Sequence, residues 1–254
     1  MPALDSHCHL DLIDAPVAHT IAAAAAVGVV RLLTIGVDVA SSRWGADVAA
    51  THSGVHAGVA IHPNEAPAHA GADALAEIER LAGLPQVRAV GETGLDYYRT
   101  GPADWPAQQE SFRAHIDIAK RTQTALMIHD REAHDDVLRI LAEEGAPEHV
   151  VFHCFSGDAG MARACAERGY VMSFAGNVTF KNAGVLREAA VAAPLDLLLV
   201  ETDSPFLTPM PYRGRPNAPY FIPIIMRFLA ALKGVTTDDL CAAVTANAER
   251  VFGP

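Results

Sequence analysis

Cysteine is scarce in this chain, and the few cysteines show no paired spacing. The four of them, Cys8, Cys154, Cys165 and Cys241, form no Cys-x-x-Cys motif. That pattern is not typical of a small secreted domain held by disulfides, nor of a redox-active dithiol. We therefore expect a reduced protein that works in the cytoplasm.

Long apolar runs are also missing. No stretch of the sequence reaches the roughly 18 apolar residues that a membrane-spanning helix needs. The first residues lack the basic flank and the apolar core of a signal peptide. We therefore expect no membrane partner.

Positive charge is in deficit. The chain of 254 residues has 19 lysines and arginines against 30 acidic residues, which gives a formal net charge of -11. Such a balance argues against a broad surface that coats nucleic acid. It leaves room for a local anion site, because bound cations reverse the field where they lie.

Short apolar runs alternate with alanine-rich helical patterns along the whole sequence. The predicted strands lie near residues 4–9, 30–36, 55–61, 87–92, 124–129, 150–154, 170–174 and 197–201. A helical pattern follows each of them, which is typical of a parallel sheet covered on both faces. We predict the α/β class and a TIM (β/α)8 barrel, formed by a single domain over residues 1–254.

A pair of histidines ends the first predicted strand. His7 and His9 are separated by one residue, so an extended strand directs both side chains to the same face. Taken alone, such a pair is more often an ordinary polar strand end than a metal site. In a barrel of this kind, however, chemistry collects where the strands end. The pair therefore indicates a metal site only if other strand ends carry the same ligand types.

Metal-ligand residue types do recur at later strand ends. Glu92, His129, His153 and Asp203 follow the fourth, fifth, sixth and eighth predicted strands. Each has an ordinary explanation singly, as a helix cap or a satisfied core side chain. Acids and imidazoles that crowd one end of a sheet require a cation to relieve them. Jointly they predict a metal site.

The number of donors predicts two ions. Six protein ligands exceed the three that an open catalytic zinc site typically uses. Two divalent cations that share a bridging carboxylate fit the count, and Glu92 is the predicted bridge. One ion is assigned His7, His9 and Asp203, and the other His129 and His153. The ions are zinc, manganese or magnesium, among which the sequence does not choose.

Eight short motifs accompany these residues in order along the chain. They are DSHCHLD at 5–11, IHPNE at 61–65, GETGLDYYR at 91–99, IHDREA at 128–133, HCFSGD at 153–158, FAGNVTFKNA at 174–183, ETDSPFLTP at 201–209 and RGRPNAP at 213–219. Together they resemble the TatD family of metal-dependent deoxyribonucleases, part of the wider amidohydrolase-like barrels. The resemblance implies that the family's metal ligands fall on the same six residues.

The resemblance also implies an activity, the hydrolysis of phosphodiester bonds in DNA. The predicted form is a 3′–5′ exonuclease on single-stranded DNA, although the residues do not themselves fix the polarity. Asp203 and Glu92 are the predicted catalytic residues, and Asp203 would accept a proton from the attacking water. The expected partner is nucleic acid, as DNA ends or short single strands. The oligomeric state stays open, and a monomer is compatible with the sequence.

Further residues are predicted to contact the substrate. Ser156 offers a hydroxyl in a turn, and His62 lies beside Pro63 at the third strand end. The arginines of this set follow the fourth and eighth strands, where they would form a basic rim for a phosphate backbone. They are Arg99, Arg213 and Arg215. The alternative for each of these residues is a role in a turn or a solvated surface.

Two other functions stay open. The first is a hydrolase of the same barrel class that acts on an amide, a lactone or another phosphoester. Barrels of that wider class often use a carbamylated lysine as the bridge, and Glu92 in its place favours TatD-like chemistry. The second is a non-catalytic metal-binding scaffold, which the retention of every predicted ligand argues against.

Overall fold

Eight parallel strands give the chain its topology. The computed structural model describes residues 3–254 and joins the strands into one sheet in the order β1 to β8. They are β1 (Ala3–Cys8), β2 (Val29–Ile35), β3 (Val55–Val59), β4 (Val87–Asp96), β5 (Ala125–Arg131), β6 (Val150–Phe152), β7 (Val171–Phe174) and β8 (Leu198–Val200). This order, with helices between the strands, is that of a (β/α)8 barrel, so the predicted fold class is confirmed.

Helices fill the connections between the strands. They are α1 (Val17–Ala25), α2 (Val39–Thr51), α3 (Ala66–His69), α4 (Ala72–Ala82), α5 (Trp105–Thr122), α6 (His134–Glu144), α7 (Ala159–Glu167), α8 (Gly184–Ala192), α9 (Ile222–Lys233) and α10 (Thr237–Phe252). Short polar side chains fix where several begin. Asp38 accepts a hydrogen bond from the Ser41 amide at the start of α2, and Thr236 does the same for Asp239 at α10.

The strands are apolar because both faces of the sheet are covered. All residues of β7 and β8 are buried, as are the first four of β5. Continuous runs of this kind, without polar alternation, are expected of parallel strands between helices. The predicted metal ligands lie in the carboxyl-terminal halves of the strands or just after them.

The chain divides into two compact units. One combines the residues up to Leu33 with Cys154–Pro254, and the other is Thr34–His153. Phe174 and Ile225 are fully buried in the first unit, and Phe112 and Leu126 in the second. Each unit therefore contains fully buried apolar side chains. The single domain predicted for residues 1–254 stays a prediction.

Strand β4 is longer than the sequence pattern indicates. The predicted end at Glu92 is wrong, because pairing with β5 continues to Asp96 opposite Arg131. Gly94 permits this continuation: its φ is +134°, and a Cβ there would lie 2.1 Å from the His129 carbonyl oxygen. Glu92 thus lies within a strand rather than at its end.

No single helix in the described part of the chain is both long and apolar enough to cross a membrane. One bent pair, 219–233 with 237–252, meets that test by length and composition alone, across a bend of 110°.

Candidate metal centre

His7, His9 and Asp203 form the first donor set, which we call the β1–β8 cluster. The Nε2 atoms of His7 and His9 lie 3.3 Å apart. Asp203 Oδ1 is 3.7 Å from His7 Nε2 and 3.6 Å from His9 Nε2. The two histidines are buried and the Asp203 carboxylate is nearly so. Three donor atoms therefore face one another in a site with little access to water.

Backbone hydrogen bonds between the end of β1 and the segment after β8 hold this cluster. The Asp203 amide donates to the His7 carbonyl over 3.0 Å, and the His9 amide donates to the Ser204 carbonyl over 2.8 Å. Cys8 and Ser204 form a parallel bridge between them. The relative positions of His7, His9 and Asp203 are thus fixed by backbone pairing and not by side-chain contacts alone.

A buried carboxylate lies beneath the same cluster. Asp5 Oδ1 accepts hydrogen bonds from the amides of Thr202, at 2.9 Å, and of His7, at 3.3 Å. Its Oδ2 accepts the Thr202 hydroxyl. Burial raises the pKa of Asp5 to about 8, against the effect of these donors and with that of Glu201. Asp5 therefore ties β1 to the segment that carries Asp203.

Glu92, His129 and His153 form the second donor set, which we call the β4–β6 cluster. Glu92 Oε2 is 2.8 Å from His153 Nε2 and 3.2 Å from His129 Nδ1. His129 Nδ1 and His153 Nε2 lie 3.4 Å apart. His62 Nε2, at 3.8 Å from Glu92 Oε2, belongs to the same group. His62, which the sequence predicts to contact the substrate, thus lies among the predicted metal ligands.

The ring of His129 is oriented by a second carboxylate. Its Nε2 is 3.1 Å from Asp96 Oδ2. A hydrogen bond donated from Nε2 to Asp96 leaves the lone pair of Nδ1 directed at Glu92 and His153. Burial opposes ionisation of Asp96, but His129, the Arg99 amide and the charge of Arg131 lower its pKa to about 2. Asp96 is therefore an ionised acceptor at neutral pH.

Three neighbouring imidazoles stabilise the ionised form of the buried acid in the β4–β6 cluster. Burial would raise the pKa of Glu92, yet His153, His62 and His129 together hold it well below its ordinary value. Burial lowers the pKa of His62 to about 4, and the nearby carboxylates only partly oppose this. Glu92 is thus a carboxylate at neutral pH, and His62 a neutral imidazole.

In both clusters the nitrogen atoms have the separation that a tetrahedrally coordinated cation requires. Two nitrogen ligands about 2.05 Å from a zinc ion are separated by about 3.3 Å when the angle is tetrahedral. The pair His7 and His9, at 3.3 Å, and the pair His129 and His153, at 3.4 Å, match that separation. Each nitrogen pair has a carboxylate oxygen beside it. The residues therefore fit divalent metal ions.

The other predicted substrate contacts lie on the surface. Ser156 and Arg99 are exposed. Arg213 and Arg215 are also exposed, and their guanidinium groups lie over aromatic rings, at 4.3 Å from Phe180 and 5.8 Å from Tyr212. Their role in binding substrate stays a prediction.

Two carboxylates beside the predicted ligands are absent from the set of site residues predicted from the sequence. Asp96 follows Glu92 by four residues, a spacing that puts both on one face of a continuous strand. Recognition of β4 as a long strand would have found it. Asp5 precedes His7 by two residues and offered the same signal, but its contacts with Thr202 depend on the register at β8.

Comparisons with known proteins identify the family of the chain. The family model described as TatD related DNase matches residues 4–253. An uncharacterized metal-dependent hydrolase TatD of Mycobacterium tuberculosis is 46% identical over 98% of this chain and 97% of its own. The uncharacterized metal-dependent hydrolase YcfH of Escherichia coli K12 is 39% identical over 98% of this chain and 95% of its own.

A solved structure shows the same fold. The TatD homologue YjjV of Escherichia coli K12 superposes with a TM-score of 0.92 at 25% identity, over 99% of this chain and 98% of its own. The residues predicted as metal ligands lie in two clusters suited to cations, and the sequence similarity runs end to end. The chain therefore belongs to the TatD family of metal-dependent hydrolases.

Proposed function

We propose that this hydrolase is a deoxyribonuclease that acts as a 3′–5′ exonuclease on single-stranded DNA. The observation that carries the proposal is the match of residues 4–253 to a family described as TatD related DNase, with both donor clusters intact. Phosphodiester hydrolysis by paired metal ions needs carboxylates and imidazoles of this kind. The cytoplasm is the proposed location, on the basis of the cysteine pattern.

The proposed cofactor is a pair of divalent cations. The β1–β8 cluster would hold one and the β4–β6 cluster the other, with Glu92 as the shared carboxylate that the donor count and the family resemblance imply. When bound, such ions make water more acidic and neutralise the charge of a phosphate. Imidazole-rich ligation favours zinc, and manganese and magnesium are the alternatives.

The residues of the chain supply orientation and proton transfer. Asp203 has a carboxylate that is 14% exposed, so it can reach a water molecule at the edge of its cluster. It would accept the proton of the attacking water. Asp96 would hold the His129 ring in one orientation, and Asp5 would hold His7 in register with the Asp203 segment.

The charge distribution favours strand ends as the substrate. With 30 acidic residues against 19 basic ones, the protein would repel a long polyanion over most of its surface. Contact with DNA would then be short and confined to the candidate site and the predicted arginines near it. Linear strands should be degraded faster than circular ones of the same sequence.

The proposal is tested with purified protein on a panel of substrates. The panel contains single-stranded DNA, double-stranded DNA, RNA, amides and lactones. Each substrate is incubated with and without a chelator, and then with zinc, manganese or magnesium. We expect release of mononucleotides from linear single-stranded DNA, from the 3′ end, with loss of activity in chelator. Hydrolysis of amides or lactones alone would favour the other reaction class. No hydrolysis with any ion would favour a metal-binding scaffold.

A further inference from the structure

Arg131 is a half-buried arginine beside the β4–β6 cluster. It ends β5, two residues after His129 on the same strand. Within residues 3–254 its guanidinium makes no hydrogen bond or ion pair, and its Cζ lies 3.9 Å from the centre of the Tyr98 ring. A ring face holds an arginine by cation–π attraction without using its N–H donors. The donors of Arg131 are therefore available to a ligand.

This arrangement differs from that of the arginines that are paired with acids. Six arginines lie within 4.0 Å of a carboxylate: Arg31, Arg43, Arg80, Arg113, Arg121 and Arg139. Carboxylates outnumber cations in the sequence, so a shortage of partners does not explain why Arg131 lacks one. The charge of Arg131 lowers the pKa of Asp96, but in the described part of the chain no carboxylate lies within ion-pair distance of its guanidinium, whose N–H donors therefore suit an anionic ligand.

The Asp96 carboxylate links the Tyr98 backbone to the candidate metal site. Asp96 Oδ2 faces His129 Nε2 at 3.1 Å, while Asp96 Oδ1 accepts the amide of Tyr98 at 3.0 Å. The Tyr97 amide donates to the Arg131 carbonyl over 2.9 Å, next to the paired residues Asp96 and Arg131. The guanidinium and the imidazole of His129 are thus placed by the same strand pair.

Tyr97 and Tyr98 are neighbours in the sequence but differ in their surroundings. Tyr97 stacks on Trp105 with ring centres 4.0 Å apart, and its hydroxyl donates to Asp136. Tyr98 is 59% exposed and has Arg131 over its ring. The first tyrosine anchors the loop after β4, and the second is left to position the guanidinium.

We propose that Arg131 binds a substrate phosphate next to the scissile one, and that Tyr98 is the positioning residue that holds its guanidinium. The inference rests on the proposed function and adds a substrate contact to it. The planar fork of arginine donates two parallel hydrogen bonds to phosphate oxygens, which fixes the strand as well as binding it. A nucleic-acid strand supplies such a second phosphate, whereas a minimal diester does not.

The test compares Arg131→Met with Arg80→Met in the metal-loaded enzyme. Both variants lose one positive charge, but Arg80 lies on α4, paired with Glu77. The substrates are a single-stranded oligothymidylate and bis(p-nitrophenyl) phosphate. For Arg131→Met we expect the ratio of their kcat/KM values to fall about tenfold. The slope of log(kcat/KM) for the oligonucleotide against log salt should become shallower by about 0.7, the value for one lost phosphate contact.

The outcomes separate this inference from the proposed function. Wild-type protein that cleaves neither substrate contradicts the proposed function. A wild type that cleaves both, with an Arg131→Met variant whose ratio and slope match those of Arg80→Met, contradicts the role of Arg131 alone. If Arg131→Met fails to fold, Tyr98→Leu replaces it, because Tyr98 is exposed. Tyr98→Phe keeps the ring face and should restore the ratio towards the wild-type value; equal values for the two variants would contradict the positioning role.

Discussion

His129 Nε2 lies 3.1 Å from Asp96 Oδ2, while Nδ1 of the same ring lies 3.2 Å from Glu92 Oε2. Each nitrogen of one imidazole therefore faces a different carboxylate. Asp96 fixes the tautomer that presents Nδ1 to the candidate metal site, and partners of this kind typically change metal affinity by 10–100-fold.

Asp96→Asn should therefore weaken metal binding by about 10–100-fold without removing a ligand. The amide can accept hydrogen bonds on one side only, so it cannot serve both His129 and the amides of Tyr98 and Arg99. Competition with a chromophoric chelator measures the affinity. Asp117→Asn, on the exposed face of α5, is the matched control. An affinity equal to that of the control would contradict the orienting role.

Asp203→Asn should retain the fold and lose most of the hydrolysis, by about 10²–10⁴-fold in kcat. The amide is nearly the same size as the carboxylate but cannot accept a proton at neutral pH. Thermal unfolding followed by circular dichroism reports the fold, and release of mononucleotides reports turnover. Wild-type turnover in this variant would remove Asp203 from the role of base.

Glu92→Gln should lower the occupancy of both metal sites. The carboxylate is the proposed shared ligand, and its loss leaves the imidazoles of His153 and His129 without their negative partner. Elemental analysis of protein purified without added metal measures the stoichiometry. A content of two ions per chain in the variant would contradict the bridging role, and loss of one ion only would limit Glu92 to a single site.

His115 should make stability depend on pH. It is buried on α5, its Nε2 accepts the Ile61 amide at 3.0 Å, and its Nδ1 is 2.7 Å from the Ser111 carbonyl oxygen. Burial lowers its pKa to about 4 in the folded chain, against 6.5 for an unperturbed histidine. The unfolded chain therefore takes up the proton first, so the stabilisation is complete above pH 6.5 and is lost as the pH falls towards 4. The loss is about 3 kcal/mol.

Denaturant unfolding of metal-free protein between pH 4 and pH 8 measures this effect. His115→Gln should remove this part of the pH dependence, and His19→Gln, at an exposed position of α1, is the matched control for the loss of a histidine. Identical slopes of unfolding free energy against pH in wild type and His115→Gln would contradict the assignment.

The sequence predicts the fold well because its strands are continuous apolar runs that short-range patterns reveal. It also predicts the six candidate ligands, since strand ends could be located to within a few residues. It fails at β4, where the apolar run stops at Glu92, because the pattern around Gly94 and Asp96 is typical of a loop and only their pairing with His129 and Arg131 identifies it as strand. The roles of Asp96 and Asp5 depend on contacts between strands, which local patterns do not contain.

The register between β1 and the segment after β8 has a consequence for the order of synthesis. His7 and His9 leave the ribosome long before Asp203, whose amide binds the His7 carbonyl. Glu92, His129 and His153 are made within one continuous stretch and belong to one compact unit. The nascent protein can therefore assemble the β4–β6 donor set first, whereas the β1–β8 set remains a pair of histidines until Asp203 has been made.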